Sequence, residues 1–425
     1  MTAGVNTETT ALNGRALIAY GLFGLPLSLL ALPVYVQVPQ LYAGSLGMPL
    51  ALVGAILLAA RLLDAFADPM IGHWMDRVAP VKGHAGFVLL SLPAMVAGYL
   101  ALFHPPSIVA SQAWMLNLWF TASLVVVYLG YSMAMIAHGS WGASLSQHRG
   151  ERARLTSTRE GFALVGVMLA SGLPAIAGMS ALTVTFVLSV ALSALLLLRF
   201  APRSTVVAAA HEAHWNELFA PLRERRFRWL LAVFAMNGIA AAIPATLFLF
   251  FATDRLQMPS QAGLFLVAYF VSAALALPLW ARASAKFGEA HAWLAAMLLS
   301  VAVFVWTLQL EAGALLPFAL ICVLSGLALG ADLALPPALL AGVIAASGHR
   351  GQREGAYFGL WSFATKMNLA LAAGIALPLL SWLGYVPGQP SEEGMRALAI
   401  AYAALPCALK LAAAWLLWRA PLKDV

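Results

Sequence analysis

The stretch GMPLALVGAILLAARLLDAFADPMIGHW, residues 47–74, is a long apolar run interrupted by charged side chains. Arg61, Asp64 and Asp68 follow one another at spacings of three and four residues, which places them on one face of a helix. A charged group in an apolar helix is costly unless a partner or an ion compensates it, so this face is a candidate functional site. Whether the helix lies in water or in a membrane depends on the composition of the chain.

The composition places this helix in a membrane. Of 425 residues, 62% are hydrophobic and only 10% are charged, whereas a soluble domain carries about 25% charged residues. Long apolar runs recur along the chain, which predicts an all-α polytopic membrane protein rather than a soluble domain with an anchor. Cys322 and Cys407 both lie in apolar runs. We interpret them as buried thiols and not as a disulfide or a metal site.

Twelve apolar segments are long enough to cross the hydrocarbon core, which takes about 20 helical residues. They fall near 15–38, 48–71, 85–103, 112–138, 159–179, 181–199, 229–252, 260–281, 290–310, 314–345, 356–384 and 396–418. We interpret the first as a membrane span and not as a signal peptide, because it lacks a convincing cleavage site. Residues 1–200 and 229–425 are therefore predicted to form two pseudo-symmetric six-helix bundles, a layout found in secondary transporters.

Residues 201–228 form the longest polar stretch and are interpreted as a cytoplasmic linker between the bundles. Within it Trp215, Leu218, Phe219 and Leu222 recur at helical spacing. They immediately precede the basic sequence RERRFR, residues 223–228. An apolar stripe beside a basic cluster is typical of a helix that lies on a membrane surface with its charges near anionic lipid. The linker is therefore predicted to contain an interfacial helix.

The basic residues are distributed unevenly over the connections. All but five of the 24 Lys and Arg residues lie in the tails or in the connections that follow even-numbered spans. The exceptions are Arg61, Lys366 and Lys410 inside spans, and Arg255 and Arg396 on the opposite side. By the positive-inside rule both termini are cytoplasmic, and we expect a bacterial-type inner membrane. This topology explains the net charge of +7 without nucleic acid as a partner.

Three stretches of the chain carry a resemblance to a known family. They are ALVGAILLAARLLDAFADPMIGHW, HGSWGASLSQHRGERARLTSTREGF and REGAYFGLWSFATKMNLALAAGIALPLLSWLGYVPGQP. With these stretches and its even spread of spans, the chain resembles the glycoside–pentoside–hexuronide:cation symporters, the melibiose-carrier branch of the major facilitator superfamily. The resemblance implies the major facilitator fold and cation-coupled transport of a small solute, a sugar or glycoside, by alternating access.

The resemblance also implies a cation site. In that family two aspartates of the second span bind the coupling cation, and they match Asp64 and Asp68. The residues support this independently, because two carboxylates one helical turn apart in a low dielectric repel each other unless a proton or a cation compensates them. A structural ion pair with Arg61 or Lys366 is the alternative. The family's span-eleven lysine matches Lys366, and its pairing with the aspartates would join the two bundles.

Other matching positions concern the solute. The family's arginine at the start of span five matches Arg159, which helps to hold the substrate in sugar-transporting members; the alternative is a side chain that faces lipid headgroups. We also assign Trp361, Thr365 and Lys366 of span eleven to the candidate solute site. His138 lies near the end of span four, by a position that binds substrate in the family, with a packing role as the alternative.

Two sugar-binding carboxylates of the family are replaced here. The first-span aspartate corresponds to Ser28, and the fourth-span aspartate and tryptophan correspond to Ala134 and His138. These changes favour a less polar solute, with a lysolipid-like amphiphile or a non-transporting sensor on the same fold as alternatives. Ala67 stands where many members offer an amide oxygen. With fewer hard oxygen ligands, H+ is favoured over Na+ at Asp64 and Asp68.

Asp332 is a further acidic residue inside a predicted span, next to Pro336 and Pro337. It is a possible second titrating group, and the alternative is a cap on a broken helix. Neither a P-loop nor a zinc motif such as H-E-x-x-H occurs, and no catalytic set accompanies the paired aspartates. We therefore predict a transporter and not an enzyme, without a cofactor. We expect a monomer in the lipid bilayer, with the solute and the coupling cation as its partners.

Overall fold

A computed structural model describes residues 14–145, 149–200, 219–385 and 391–422, and this part of the chain is helical almost throughout. Its α-helices are α1 (Gly14–Gly21), α2 (Gly24–Pro39), α3 (Leu50–Phe103), α4 (Ser107–Ala110), α5 (Ala113–Leu145), α6 (Arg149–Phe200), α7 (Arg225–Phe250), α8 (Ala262–Phe287), α9 (Glu289–Phe304), α10 (Leu315–Ala346), α11 (Glu354–Trp382), α12 (Glu392–Ala399) and α13 (Leu405–Arg419). Short π-helical segments at Gln40–Ser45, Phe251–Arg255 and Ile400–Ala404 connect several of them.

Two of the helices, α3 and α6, each contain two predicted spans joined without a loop. The backbone turns at Gly83 (φ 68°, ψ 168°) in α3 and at Gly178 (φ 80°, ψ 174°) in α6. Gly288 (φ 84°, ψ 152°) separates α8 from α9 in the same way. Only glycine adopts this conformation without a large steric cost, so three glycines determine where consecutive spans reverse direction.

A local repeat relates the two halves of the chain. Leu46-Gly47-Met48-Pro49 and Leu256-Gln257-Met258-Pro259 each follow a π-helical segment at the end of the first span of a half. The amide of Met48 donates to the carbonyl of Tyr42, and that of Met258 to the carbonyl of Ala252, both at 2.9 Å. Gly47 and Gln257 both have positive φ, 73° and 57°. The matching turns support an internal six-plus-six repeat.

The described helices pack as two bundles, the fold class that the sequence predicts. In the first half α3 packs on α5, and α1 and α2 pack on α6; in the second half α10 packs on α8 and α9, and α13 packs on α7. The bundles meet mainly where α3 contacts α11 and where α6 contacts α8 and α10. The predicted interfacial helix lies mostly on residues 201–218, outside the described residues; after them a 3₁₀ turn spans Ala220–Arg223.

The outer surface is apolar, as expected for contact with lipid. Large hydrophobic side chains such as Leu188, Leu195, Leu275 and Leu316 are mostly exposed. Within the described residues, ten helical segments are long and apolar enough to cross a membrane. The predicted second and fifth spans are not among these ten, although both are helical. The second span holds three charged residues, Arg61, Asp64 and Asp68.

The bundles contact each other tightly at one end of the molecule. We call the end that carries Arg77, Arg149, Lys286 and Arg353 the basic face; it is the end predicted to be cytoplasmic. Near it the hydroxyl of Thr156 in α6 donates to the carbonyl of Ala334 in α10 at 2.8 Å. Direct hydrogen bonds between the bundles indicate that the structure is closed at the basic face.

Paired glycines let α3 and α11 approach closely at this end. A Cβ atom at Gly72 would overlap the carbonyl of Gly355 and lie 3.2 Å from the Cα of Gly359. In the opposite direction, a Cβ atom at Gly359 would lie 2.6 Å from the carbonyl oxygen of Asp68. The backbones are therefore in contact at a point where no side chain larger than hydrogen fits.

Gly72→Ala is expected to weaken closure of the basic face. The added methyl group must push α3 and α11 apart, and such overpacking costs about 1–3 kcal/mol. We expect a lower melting temperature in detergent and greater labelling of cysteines introduced at the basic face. Gly54→Ala in the same helix is the matched control, because a Cβ at Gly54 meets nothing within 4 Å. Equal melting temperatures for the two variants would contradict the close-contact interpretation.

Candidate functional site

A buried charge cluster connects the two bundles above the closed basic face. Lys366 on α11 places its Nζ atom 2.6 Å from Oδ2 of Asp64 and 2.7 Å from Oδ2 of Asp68, both on α3. All three side chains are almost inaccessible, with exposed fractions of 7%, 2% and 0%. Because the aspartates are one turn apart on a helix, a single ammonium group can contact both. The structure thus brings together three residues that the sequence predicts for the cation site.

Ser132 of α5 completes this cluster. Its hydroxyl donates to Oδ1 of Asp64 at 2.7 Å, while Nζ of Lys366 donates to the Ser132 oxygen at 2.8 Å and to Oδ1 of Asp68 at 2.8 Å. Sequence reasoning did not include Ser132. The sequence shows only a hydroxyl residue inside an apolar fourth span, which does not by itself indicate its partner. We name Asp64, Asp68, Ser132 and Lys366 the coupling cluster.

The coupling cluster has an unbalanced charge. Two carboxylates face one ammonium group, so these four residues taken by themselves carry one net negative charge when ionised, and Arg61 lies one turn away on α3. A buried charge that lacks a partner is expensive. A single additional positive charge, brought by a proton or by a small cation, would neutralise the cluster and would compete with Lys366 for the same oxygens.

Arg61 occupies a different position from Lys366. Its guanidinium carbon lies 5.6 Å from the centre of the Tyr128 ring, a cation–π distance. Arg61 precedes Asp64 by one helical turn on α3. Arg61 therefore lies one turn from the aspartates on the same helix, as the sequence predicts, and its guanidinium group faces the Tyr128 ring.

His138 and Ser28 lie inside the packing of the first bundle. The His138 ring is fully buried, stacks on Tyr20 with ring centres 4.2 Å apart, and places Nε2 2.9 Å from the Tyr20 carbonyl. Ser28 on α2 is half-buried and faces Gly166 of α6, where an added Cβ would lie 3.0 Å from the Ser28 Cβ. Both positions are occupied by helix-to-helix contacts.

The remaining predicted solute residues lie on α6 and α11. Arg159 pairs with its neighbour Glu160, with Nε 3.0 Å from Oε1. Trp361 is buried and stacks on Phe234 with ring centres 3.7 Å apart. The Thr365 hydroxyl, which is half-buried, donates to the Trp361 carbonyl at 2.9 Å. Trp361 and Thr365 lie on the turns that precede Lys366, so α11 carries both solute candidates and the ammonium group.

Asp332 forms a second, mostly buried ion pair, inside the second bundle. Its Oδ2 accepts from Nζ of Lys410 at 2.7 Å, and its Oδ1 accepts from Asn237 at 3.1 Å and from Trp293 at 2.7 Å. The prediction that Asp332 caps a broken helix is wrong, because α10 continues without interruption from Leu315 to Ala346. Sequence reasoning noted Lys410 as an intramembrane lysine but did not pair it with Asp332.

The basic face adds polar contacts between the bundles below the coupling cluster. The Asp76 carboxylate accepts from the backbone amides of Gly355 at 2.7 Å and Ala356 at 2.8 Å. These amides belong to the first turn of α11, whose N–H groups have no partner within the helix, and the helix dipole favours a negative charge there. Asp76 of α3 therefore holds the same end of α11 that the paired glycines contact.

A buried ion pair also joins α6 to α9 near the basic face. Nη2 of Arg152 lies 3.4 Å from Oε1 of Glu289, and both side chains are almost inaccessible. Breaking such a pair from one side leaves an uncompensated charge and costs about 3–5 kcal/mol. We expect Arg152→Gln and Glu289→Gln each to lower the melting temperature, and the double variant to recover part of the loss.

The control for this pair is Arg154→Gln, because Arg154 is an exposed arginine on the same helix. We expect the melting temperature of this variant to stay within about a degree of the wild-type value, since exposed charges contribute about 0–1 kcal/mol. If the double variant instead lost the sum of the two single losses, Arg152 and Glu289 would act independently and the interpretation as a pair between bundles would be wrong.

Comparisons with known proteins agree with this architecture. Residues 12–424 match the family model described as MFS/sugar transport protein. The glucuronide carrier protein homolog of Escherichia coli (strain K12) is 27% identical over 415 residues, which cover 90% of this chain and 87% of that protein.

Solved structures with the same fold have low sequence identity. The fucose:proton symporter of E. coli aligns with a TM-score of 0.65 at 15% identity, over 94% of this chain and 98% of the symporter. A bacterial homologue of the iron transporter ferroportin, in an outward-facing state, aligns with a TM-score of 0.68 at 16% identity, over 95% and 98% of the two chains. These likenesses confirm the predicted fold, and the family match confirms the resemblance found in the sequence: the chain belongs to the MFS/sugar transport protein family of the major facilitator superfamily, a family of membrane transporters.

Proposed function

We propose that the protein is an H+-coupled secondary transporter that moves a small organic solute by alternating access, with the basic face in the cytoplasm. The observation that carries this proposal is the position of Lys366. Its ammonium group comes from one bundle and lies between two carboxylates of the other. A cation that binds those carboxylates therefore changes the contacts that hold the bundles together, which is the requirement for coupling.

The proposed step begins with a proton at Asp64 or Asp68. Protonation removes one of the two charges that attract Lys366, so the contact between α3 and α11 weakens. The contacts of Gly72 and Asp76 with the start of α11 lie on the same pair of helices. Loss of the buried attraction would then allow the basic face to open, while the neutralised cluster stays in the low-dielectric interior at a smaller cost.

A proton fits this geometry better than Na+ does. The ammonium group of Lys366 already occupies the space between the carboxylates. The Ser132 hydroxyl already donates to Asp64 and accepts from Lys366. Na+ would have to displace the ammonium group and take its oxygen ligands, whereas a proton needs one carboxylate oxygen only. Na+ at Asp64 and Asp68 is the alternative coupling ion.

The proposed solute is related to sugars or glycosides but less polar than melibiose. Support comes from the family and from the similarity to a glucuronide carrier homolog. Ser28 and His138 stand at positions where sugar-transporting members have carboxylate and aromatic groups, and both are packed between helices. A lysolipid-like amphiphile is the second candidate, because Trp361 and Phe234 provide stacked aromatic surface near Lys366.

Uptake into proteoliposomes tests the proposed function. A thermal-shift screen of sugars, glucuronides, organic acids and lysolipids, each with and without Na+, first identifies solutes that stabilise the purified protein. The stabilising solute is then offered to vesicles with an imposed pH gradient or an imposed Na+ gradient. We expect accumulation with the pH gradient alone. Binding without uptake under either gradient would support a sensor and contradict transport.

A further inference from the structure

The second bundle encloses a cavity that is separate from the coupling cluster. It has a volume of about 410 Å³ and lies between α7, α8, α9, α10 and α13. Ligand sites usually measure about 300–1,000 Å³, so the cavity is large enough for a small organic molecule. Leu249 and Leu266 are exposed and lie at its edge, so the cavity reaches the surface of the bundle.

The wall of the cavity is mainly aromatic and aliphatic. Phe248, Phe265, Phe304, Phe318 and Tyr402 contribute rings. An apolar space of this size is unfavourable when it is empty, because the surrounding groups lose their packing contacts. Water fills such a space poorly, since each water needs several polar partners. The wall therefore favours an occupant with a hydrophobic body.

The polar end of the cavity is the Asp332–Lys410 ion pair. Both residues belong to its lining, and each side chain is about one-tenth exposed. Asp332 accepts three hydrogen bonds, from Lys410, Asn237 and Trp293. Among the described residues, Lys410 donates one hydrogen bond, to the Asp332 carboxylate. An ammonium group has three hydrogens, so Lys410 can donate to a further acceptor. The end of the cavity thus offers hydrogen-bond donors.

From this arrangement we propose that the cavity is a binding site for an uncharged, largely hydrophobic molecule that ends in an oxygen acceptor, such as a hydroxyl or carbonyl group. The acceptor takes a hydrogen bond from the ammonium group of Lys410. The molecule is uncharged because Asp332 and Lys410 already balance each other, and a third charge in this low-dielectric space would lack a counterion. This site is independent of the proposed transport function and of its coupling cluster.

The native thiols allow a direct test, because Cys322 and Cys407 are the chain's only cysteines and both line the cavity. N-ethylmaleimide labelling of the purified full-length protein is followed by intact mass spectrometry. Cys322→Ala and Cys407→Ala assign each label. Four matched probes are added before labelling: phenylbutanol, butylbenzene, phenylbutanoate and phenylbutylamine.

We expect phenylbutanol to slow labelling at roughly tenfold lower concentration than the other three probes, because a hydrogen bond to a charged donor is worth about tenfold in affinity. In Lys410→Met this advantage over butylbenzene is lost. Ala245→Phe, which adds a ring to the lining and leaves Asp332 and Lys410 unchanged, is expected to lower both labelling and protection. Ala191→Phe places the same change at an exposed helical position outside the cavity and leaves both unchanged.

Three results would overturn the proposal. The first is that neither thiol reacts in the folded protein and none of the four probes raises its melting temperature, which would mean that these molecules do not bind in the cavity. The second is equal protection by all four probes, which would remove the role of Lys410. The third is a co-purified phospholipid whose removal alone exposes the thiols, which would identify the occupant as a bilayer lipid. The test of Ala245→Phe remains informative if Lys410→Met does not fold.

Discussion

Asp68→Asn is expected to abolish accumulation of solute against its gradient while leaving the protein folded and inserted. Asparagine keeps the volume of the side chain and can still accept from Lys366, which retains its contact with Asp64 at 2.6 Å. The amide, however, cannot take up a proton. One pH unit corresponds to about a tenfold concentration ratio for one proton per solute, so wild-type vesicles should accumulate about tenfold and Asp68→Asn vesicles should only equilibrate.

The matched control for this substitution is Asp254→Asn. Asp254 lies in the π-helical segment after α7 and accepts from the Tyr385 hydroxyl, far along the chain from the coupling cluster. We expect this variant to accumulate solute as the wild type does. Normal accumulation by Asp68→Asn would show that the carboxylate is not part of the coupling step, whatever its role in packing.

Lys366→Ala and Asp64→Ala are expected to act through one interaction. Removing Lys366 leaves two buried carboxylates one turn apart without the ammonium group between them, and removing one partner of a buried pair costs about 3–5 kcal/mol. Of Lys366, Asp64 and Asp68, the double variant retains only Asp68. The repulsion between the two carboxylates is therefore removed together with the ammonium group. We expect each single variant to impair transport and the double variant to be no worse than either, as measured by uptake rate and melting temperature.

A second cycle provides the comparison. Lys410→Ala removes another buried lysine, which pairs with Asp332 inside the second bundle. Mutations at distant, independent sites add within about 0.5 kcal/mol, so Lys410→Ala and Asp64→Ala should give additive losses. Additive losses for Lys366→Ala and Asp64→Ala too would mean that the two residues do not stabilise each other, and the coupling cluster would lose its central contact.

The sequence predicts the fold well because hydropathy reports directly on membrane spans. The apolar runs correspond to helices, whereas the predicted linker at 201–228 lies mostly on residues 201–218, outside the described residues. The connections between consecutive spans are less predictable. Gly83 and Gly178 reverse the chain with a single residue, and only the backbone conformation reveals it. The two matching turns before Pro49 and Pro259 are also hard to predict. Gly47 indicates a positive φ in the first turn, but Gln257 stands at the same place in the second.

The candidate site is predictable where it depends on local spacing. Asp64 and Asp68 lie on one helix face, and their spacing alone suggests a shared cation. Ser132 belongs to another helix, and nothing in its local sequence places its hydroxyl at Asp64. The same limit applies to Lys410, which is 78 residues from Asp332 in the chain. Such partners depend on the packing of distant helices, which residue spacing does not report.

The central claim is that a cation at the coupling cluster releases Lys366 and allows the basic face to open. It is tested most directly by distance measurements between spin labels at Arg154 and Arg282, which are exposed on α6 and α8 and line the junction of the bundles. Cys322 and Cys407 are replaced by alanine beforehand. Lowering the pH through the neutral range should lengthen the distance in the wild type, and Asp68→Asn should show the long distance at every pH. A distance that responds to neither pH nor Na+, or that responds identically in Asp68→Asn, would contradict the account.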